Sequence, residues 1–399
     1  MIREHVGIQP TLKKIITVML AMILVVPAIL PVISVHARPG AQWTIMVYLD
    51  ADNNLDYYSS VNVEDMMTVG STENVNVIVL WDRYDDVANL YKVDAGILNL
   101  VDGFALNGIE TNMGDPDTLT DFVKFSTKHF RADNYALVLW DHGDDFRGCC
   151  WDDHPEDYLS HQEISSALSG FQIDILAFDA CVEGMIEVAY EYVWAGLDIE
   201  YLVATEGYVP NWGYPYGMIL EDLVASPTMS AFDLSKTIVD NYIAFYEAKR
   251  PASRLVELAS IDMSFVDLIV QQLGSMTDAL ESLLLADRET AHEMIAEAKG
   301  EGNLGWSEYG WEAYIDLPTF VKSLAVNNVP YAAELNGTLS TSIYVVTSTA
   351  LSSAEGMGIF FPSSYGSFSN NVLWHGDLYL AMQFPHEGWW DFLQAYWGL

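Results

Sequence analysis

Basic side chains are scarce. Lysine and arginine together number 17 in 399 residues against 56 aspartates and glutamates, a formal charge of −39 at neutral pH. A chain so negative is repelled by phosphate backbones, which excludes nucleic acid as its partner. Cysteine is nearly absent: Cys149, Cys150 and Cys181 are the full complement. An odd count with two members adjacent is no disulfide framework for a chain of this length. No His-x-x-x-His or Cys-x-x-Cys spacing occurs, so a metallohydrolase reading has little support. Internal repeats and low-complexity stretches are also missing, which excludes a repeat architecture. With 51% hydrophobic and 18% charged residues, the chain can bury a large core, and disorder is excluded. Its length suits two domains, or one large domain with an elaborated end.

The N-terminal segment is of a different kind. Arg3, Lys13 and Lys14 against Glu4 precede an apolar run from Ile15 to Val35, broken only by Thr17, Pro27, Pro31 and Ser34, and then comes Val35-His36-Ala37. That pattern predicts an export signal over residues 1–37 and a protein that is secreted or held at the cell surface. The run exceeds the ~7–15 residues of a usual signal core, so an uncleaved membrane anchor through residues 15–35 is the alternative. The sequon Asn336-Gly337-Thr338 fits export and is too short to add weight.

From Trp43 onward, short β-branched and aromatic runs alternate with segments of helical spacing. Trp43–Leu49, Val75–Trp81, Ala136–Trp140, Ile173–Phe178 and Tyr201–Ala204 read as strands, continuous enough to be buried on both faces. Ser59–Val69, Asp117–His129, Ser160–Leu168 and Gly184–Tyr192 read as the helices between them. Strand and helix in alternation predict an α/β fold with a largely parallel sheet flanked by helices. Beyond residue 225 the pattern turns to long helices, Ser230–Lys249 and Met263–Lys299, with further strands at Ser342–Thr347 and Met357–Phe361. The expected organisation is a catalytic α/β domain over 38–225 and a mostly helical C-terminal elaboration over 226–399 that completes it.

In open α/β sheets ligands bind beyond the carboxyl ends of the strands. Two such ends carry chemistry: Ala136–Trp140 runs into Asp141-His142-Gly143, and Ile173–Phe178 into Asp179-Ala180-Cys181. If these strands are parallel neighbours about 4.8 Å apart, His142 and Cys181 emerge at one rim, a thiol nucleophile beside an imidazole. The backbone N–H groups of Gly143 and Cys181 would then suit an oxyanion hole. A helix starting soon after Cys181 is expected to lower the thiol pKa. The bland alternatives are a small buried hydrophobe and a hydrogen-bonded structural histidine. His154 and His161, in a polar loop and at a helix start, read as solvated, and Cys149 and Cys150 as structural. The loop Asp50-Ala-Asp52-Asn-Asn-Leu-Asp56 has the alternating acids of a calcium loop, with Asp50, Asp52 and Asp56 as metal candidates. It lacks the glycine and the distal glutamate of an EF-hand, so it lines the cleft or holds an ion in some other way.

Several segments together resemble the clostripain family of cysteine peptidases, in the caspase-like clan: Trp43-Thr-Ile-Met-Val-Tyr-Leu-Asp-Ala-Asp-Asn-Asn-Leu-Asp56, Leu139-Trp-Asp-His-Gly143, Phe178-Asp-Ala-Cys-Val-Glu-Gly-Met-Ile-Glu-Val-Ala-Tyr-Glu191, Tyr201-Leu-Val-Ala-Thr-Glu206 and Gly213-Tyr-Pro-Tyr216. Tyr314-Ile-Asp-Leu317 and Gly356-Met-Gly-Ile-Phe-Phe-Pro362 are weaker echoes. The resemblance implies a caspase-like fold, His142 and Cys181 as catalytic dyad, oxyanion donors on Gly143 and Cys181, and hydrolysis of a protein or peptide substrate through a thioester. It implies no cofactor for the chemistry itself, with calcium the one ion some members respond to. Members cleave after Arg or Lys, which needs an acid in the S1 pocket. The family pattern places that acid where this chain has Asn211 and Trp212. Asp179 and Glu206 are the acids remaining for the pocket, while Trp212 would narrow or floor an apolar one. Some members also cut themselves between the histidine and the cysteine; Arg147 is the one Lys or Arg from Asp144 to Ala180 and hence the autocleavage candidate. The competing reading is a catalytically silent surface protein whose acidic loops bind calcium or a partner. Nothing in the sequence sets the oligomeric state.

Overall fold

The computed structural model describes residues 40–249, 255–303, 313–351, 353–370 and 376–399. The expected export signal lies outside the described residues. Nine strands make one sheet, and β11 (Tyr314–Asp316) pairs with β13 (Gly358–Phe360) outside it. Its centre is five parallel strands: β1 (Ala41–Ala51), β2 (Val75–Arg83), β5 (Ala132–Trp140), β8 (Gln172–Asp179) and β9 (Asp198–Ala204). Antiparallel strands flank this centre. One edge is a hairpin of β3 (Asn89–Asp94) and β4 (Ile97–Leu100), the other β10 (Glu257–Asp262) with β12 (Ile343–Thr347). Strands from before and after residue 225 therefore share one sheet. Among the described residues no helix is long and apolar enough to cross a membrane.

The parallel strands are apolar on successive residues because both sheet faces are covered. Trp43, Ile45, Val47 and Leu49 of β1 join a core that includes Met66, Leu220, Leu223, Val239 and Tyr242, supplied by α1 (Asp56–Met67) and two later helices, Tyr216–Ala225 and Ala231–Lys249. Met46 and Tyr48, of opposite parity, join Phe122, Ile164 and Val188 on the other face. These come from α2 (Pro116–His129), α3 (His161–Leu168) and α4 (Ile186–Trp194). Local signals set the boundaries: Asp115 caps α2 with Pro116 at its first turn, and Ser160 and Glu163 form a capping box on α3. The long apolar stretch from Met263 divides at Asp287, which ends helix Val266–Ala286 and caps Arg288–Gly302.

β1 leads to β2 on one side, while β5 lies on its other side. The carboxyl ends of β1 and β5 thus bound a topological switch point, where a crevice opens without further sequence expense.

Candidate active site

β5 and β8 pair in parallel with Trp140 opposite Asp179. The second residue past each, His142 and Cys181, therefore leaves the sheet at one level, as the strand-end reasoning expects. Both line a narrow cavity of ≈ 60 Å³ together with Leu55, Asp179, Val209 and Gly213. His142 also lines a wider groove of ≈ 470 Å³ with Asn53, Asn54, Gly143, Trp151 and Asp153. The histidine stands between the two. A larger depression of ≈ 770 Å³, between helix Arg288–Gly302 and the C-terminal residues, holds none of these groups.

The turn after β5 is tied to β6 (Cys149–Asp153), which pairs with β7 (Glu156–Leu159). Cys150 N–H donates to His142 O at 3.3 Å and Asp144 N–H to Gly148 O at 3.0 Å, bracketing Gly143. Buried Asp141 accepts from Asn53 Nδ2 at 2.7 Å and from the Trp151 N–H. His142 Nε2 lies 2.7 Å from Asn54 Oδ1. Protein packed round the ring lowers the His142 pKa below the ordinary imidazole value, with Asp153 opposing.

The turn after β8 is anchored to the segment following β9: Val182 N–H donates to Gly207 O and Gly184 N–H to Thr205 O, both at 2.7 Å. Val182 sits at φ +60°, a left-handed conformation that costs a β-branched residue about 1–3 kcal/mol. Strain of this kind, held by two hydrogen bonds, re-aims the chain just after the cysteine. Neither Gly143 N–H nor Cys181 N–H finds an acceptor among the described residues. Two adjacent unpaired donors suit a developing oxyanion.

Cys181 Sγ accepts from Val209 N–H at 3.3 Å and donates to Val209 O at 3.8 Å. Burial pushes the thiol up to about 11, against the pull of the Val209 N–H, and Asp179, Asp144 and Asp141 add to the rise. This corrects the expectation of a lowered thiol pKa: α4 starts only at Ile186, beyond the reach of its dipole.

Asp179 forms the inner wall of the cavity. Its Oδ2 accepts from Tyr214 N–H and Tyr216 Oη, both at 2.9 Å, while Oδ1 is buried and has no partner among the described residues. Burial raises its pKa to about 7 against those two donors. The other pocket candidates go elsewhere. Glu206 is buried away from the cavity, accepts from Gly356 N–H at 3.2 Å, and is held well above the usual carboxylate range by burial and by Asp316 and Glu257. Trp212 lies edge-on to Tyr58 with Lys249 Nζ 5.0 Å from its ring centroid, and does not line the cavity. The difference is one of direction: both follow a rim position correctly and turn away from it.

Arg147 is paired with Asp144 and Asp145, its side chain only 12% exposed. The acids from the end of β1 to the start of α1 each have a protein partner on at least one oxygen. Arg83 binds both oxygens of Asp56 at 2.8 and 2.9 Å, His154 Nδ1 lies 3.0 Å from Asp52, and Asp50 is buried, accepting from Asp52 N–H at 3.3 Å. Among the described residues no group of three or more His, Cys, Asp or Glu is arranged to hold a metal ion. His161 departs from its expected solvation. It is fully buried, bonded to Tyr192 Oη at 2.7 Å and to Asp145 O at 2.6 Å, and burial lowers its pKa to about 4. Cys149 and Cys150 are buried free thiols with Sγ atoms 3.7 Å apart. Asn54 and Val209, which touch the histidine and the thiol, are the residues that strand-end reasoning misses. For Asn54 the signal is its place just past β1 at the same rim.

The model of the clostripain family matches residues 47–397. Clostripain of Hathewaya histolytica is 29% identical over 336 residues, an alignment spanning 69% of this chain and 63% of that protein's own length. Among solved structures, a secreted C11 cysteine protease from Bacteroides thetaiotaomicron in complex with an irreversible peptide inhibitor is similar, with a TM-score of 0.65 at 19% identity over 88% of this chain and 100% of that one. An inactive zymogen C11 protease from Parabacteroides distasonis gives 0.64 at 18%, over 88% of this chain and 99% of that one. At these identities the likeness to solved structures is one of fold.

Proposed function

The chain belongs to the clostripain family, and on that premise we propose that it is an exported cysteine endopeptidase with Cys181 as nucleophile and His142 as acid–base group. The observation that carries this reading is the meeting of the two side chains in one cavity at the parallel ends of β5 and β8. In the resting site both groups are neutral, given a thiol near 11 and a histidine below its ordinary value. As the sulfur attacks the scissile carbonyl carbon, the thiol proton passes to the free nitrogen of His142. The carbonyl oxygen gains the negative charge and accepts from the N–H groups of Gly143 and Cys181. Collapse breaks the C–N bond, and His142 returns its proton to the leaving amine, giving a thioester. Water, deprotonated by His142, then hydrolyses the thioester and restores the thiol.

A cationic P1 side chain, Arg or Lys, fits Asp179, whose buried Oδ1 has no partner among the described residues. Such a cation would be desolvated only against a counter-charge. With Trp212 packed on Tyr58 and Glu206 elsewhere, Asp179 is the acid that serves. Export is supported by the pattern of residues 1–37 and by the secreted relative of similar fold.

Peptide substrates with Arg, Lys or apolar P1 residues are the test, run on wild type, Cys181→Ala and His142→Ala. Both variants are expected to fold and to lose at least 10³-fold in kcat/KM, and wild type to prefer basic P1. Protein recovered outside the cell would begin at Arg38. Wild-type rates in either variant defeat the dyad. A wild type that cleaves nothing and whose Cys181 alkylates no faster than a free thiol favours the silent binding protein.

A further inference from the structure

Two asparagines follow β1, and they are used differently. Asn53 is buried and committed to the scaffold: its Nδ2 donates to Asp141 Oδ1 at 2.7 Å and Trp151 O at 2.8 Å, and its Oδ1 accepts from Leu55 N–H at 2.9 Å. Those three bonds fix the loop against the turn that carries His142. Asn54 is exposed and supports no core packing. Its Oδ1 lies 2.7 Å from His142 Nε2. An amide oxygen only accepts, so Nε2 must carry the proton. In a neutral imidazole the other nitrogen, Nδ1, then holds the lone pair and is left for the thiol.

We infer that Asn54 is a positioning residue, its amide oxygen fixing the tautomer and rotation of His142 so that Nδ1 serves as the base towards Cys181. This rests on the dyad reading above. In the segment that carries the alternating acids of a calcium loop, Asn54 is then the residue that reaches the chemistry.

The choice of an amide has a physical reason, and the same loop supplies the contrast. His154 meets a carboxylate, Asp52, at 3.0 Å, and that hydrogen bond raises its pKa. His142 meets a neutral oxygen and keeps a lowered one. A carboxylate at position 54 would hold the ring equally well and also favour its protonated form, disabling the base at mildly acidic pH. The other ionisable groups facing His142 are Asp141 beside it, Asp144 and Asp153 in the groove, and Cys181 and Asp179 in the cavity; all remain in place when residue 54 changes.

The experiment combines kinetics with nitrogen NMR of His142. Asn54→Ala is expected to lower kcat by about 10- to 100-fold with KM changed less than about threefold and melting temperature unchanged. Asn54→Asp is expected to recover most of kcat above pH 8 and to move the acid limb of the pH profile upward by about one unit. In the inert Cys181→Ala background, the His142 resonances should report the Nε2–H tautomer when Asn54 is present and a mixture in Asn54→Ala. Unaltered kcat across the pH range in Asn54→Ala, or an unchanged tautomer, overturns the inference. Should wild type lack peptidase activity, the dyad reading fails, and the tautomer measurement still decides whether Asn54 sets the ring.

Discussion

Gly143→Ala is a small change that the site should not tolerate. A Cβ there would overlap the carbonyl oxygen of Cys181, and would come within 2.7 Å of Glu183 Oε1 and 3.0 Å of Ala180 Cβ. Relaxed contacts lie near 3.5 Å, so something must give by roughly 1 Å. The cysteine side cannot yield cheaply, because Val182 and Gly184 donate to Gly207 O and Thr205 O and Val182 is already strained. Glu183 is fully buried. The movement therefore falls on the His142–Gly143 segment, away from Cys181. A displacement of about 1 Å costs on the order of 100-fold in rate, and loss of one oxyanion donor about 10²–10³-fold. The two describe the same shift and do not multiply, so kcat/KM should fall by about 10²–10³, mostly in kcat. Overpacking should also cost about 1–3 kcal/mol of stability. Steady-state kinetics with a fluorogenic peptide, beside thermal unfolding, reads both. A variant within threefold of wild-type kcat/KM and with the same melting temperature would refute the placement of Gly143 against the nucleophile turn.

Two predictions concern pH. Since the protein packed round His142 lowers its pKa, the acid limb of kcat/KM should fall below pH 6.5; a limb above 7 in wild type would mean that the carboxylates nearby dominate. Stability should decline as pH rises from about 5 to 8. Burial holds Asp179 and Glu187 up to about 7 and Asp82 up to about 8, so the folded state keeps protons that the unfolded chain has already released, and each contribution is lost as pH climbs through the folded value. His161, lowered to about 4, acts oppositely, removing stability as pH drops below 6.5, but it is outnumbered by the buried acids, which also include Asp152 and Glu257, both held up to about 7. The melting temperature of Cys181→Ala, which cannot digest itself, should be higher at pH 6 than at pH 8. A steady rise from 6 to 8 would contradict the buried-acid account.

The five parallel strands were legible because burial on both faces leaves a continuous apolar run, and each was found within a few residues of its bounds. β3 and β4 were not: Asn89–Asp94 and Ile97–Leu100 form an edge hairpin whose polar, short segments resemble loop. β10 escaped notice because Glu257, buried and bonded to the Thr205 hydroxyl and the Glu206 N–H, gives this strand, second from the sheet edge, a polar start. At the site, the strand-end rule located His142, Cys181 and Asp179, since chain position alone decides which residues reach the rim. It could not tell which way a side chain turns once there. Glu206 and Trp212 occupy rim segments as Asp179 does, yet one is drawn towards Gly356 and the other towards Tyr58. The same limit hid His161, whose place at a helix start suggested solvent while its ring faces Tyr192 and Phe178.

The charge that excluded nucleic acid at the outset also shapes the chemistry. A thiolate–imidazolium pair needs positive potential, and the potential at this rim is negative: Asp179, Asp144 and Asp141 all raise the Cys181 pKa. Arg147, a cation whose charge also acts on this region, is paired with Asp144 and Asp145. Under the proposed dyad, sulfur would lose its proton in the same step in which it attacks, which places a premium on a neutral, correctly oriented His142. A cationic P1 residue seated on Asp179 would neutralise the foremost of the charges that hold the proton on sulfur. Under the proposed specificity, the substrate that fits the pocket is also the one that makes the nucleophile easier to ionise, so selectivity for basic P1 should be expressed in kcat as well as in KM.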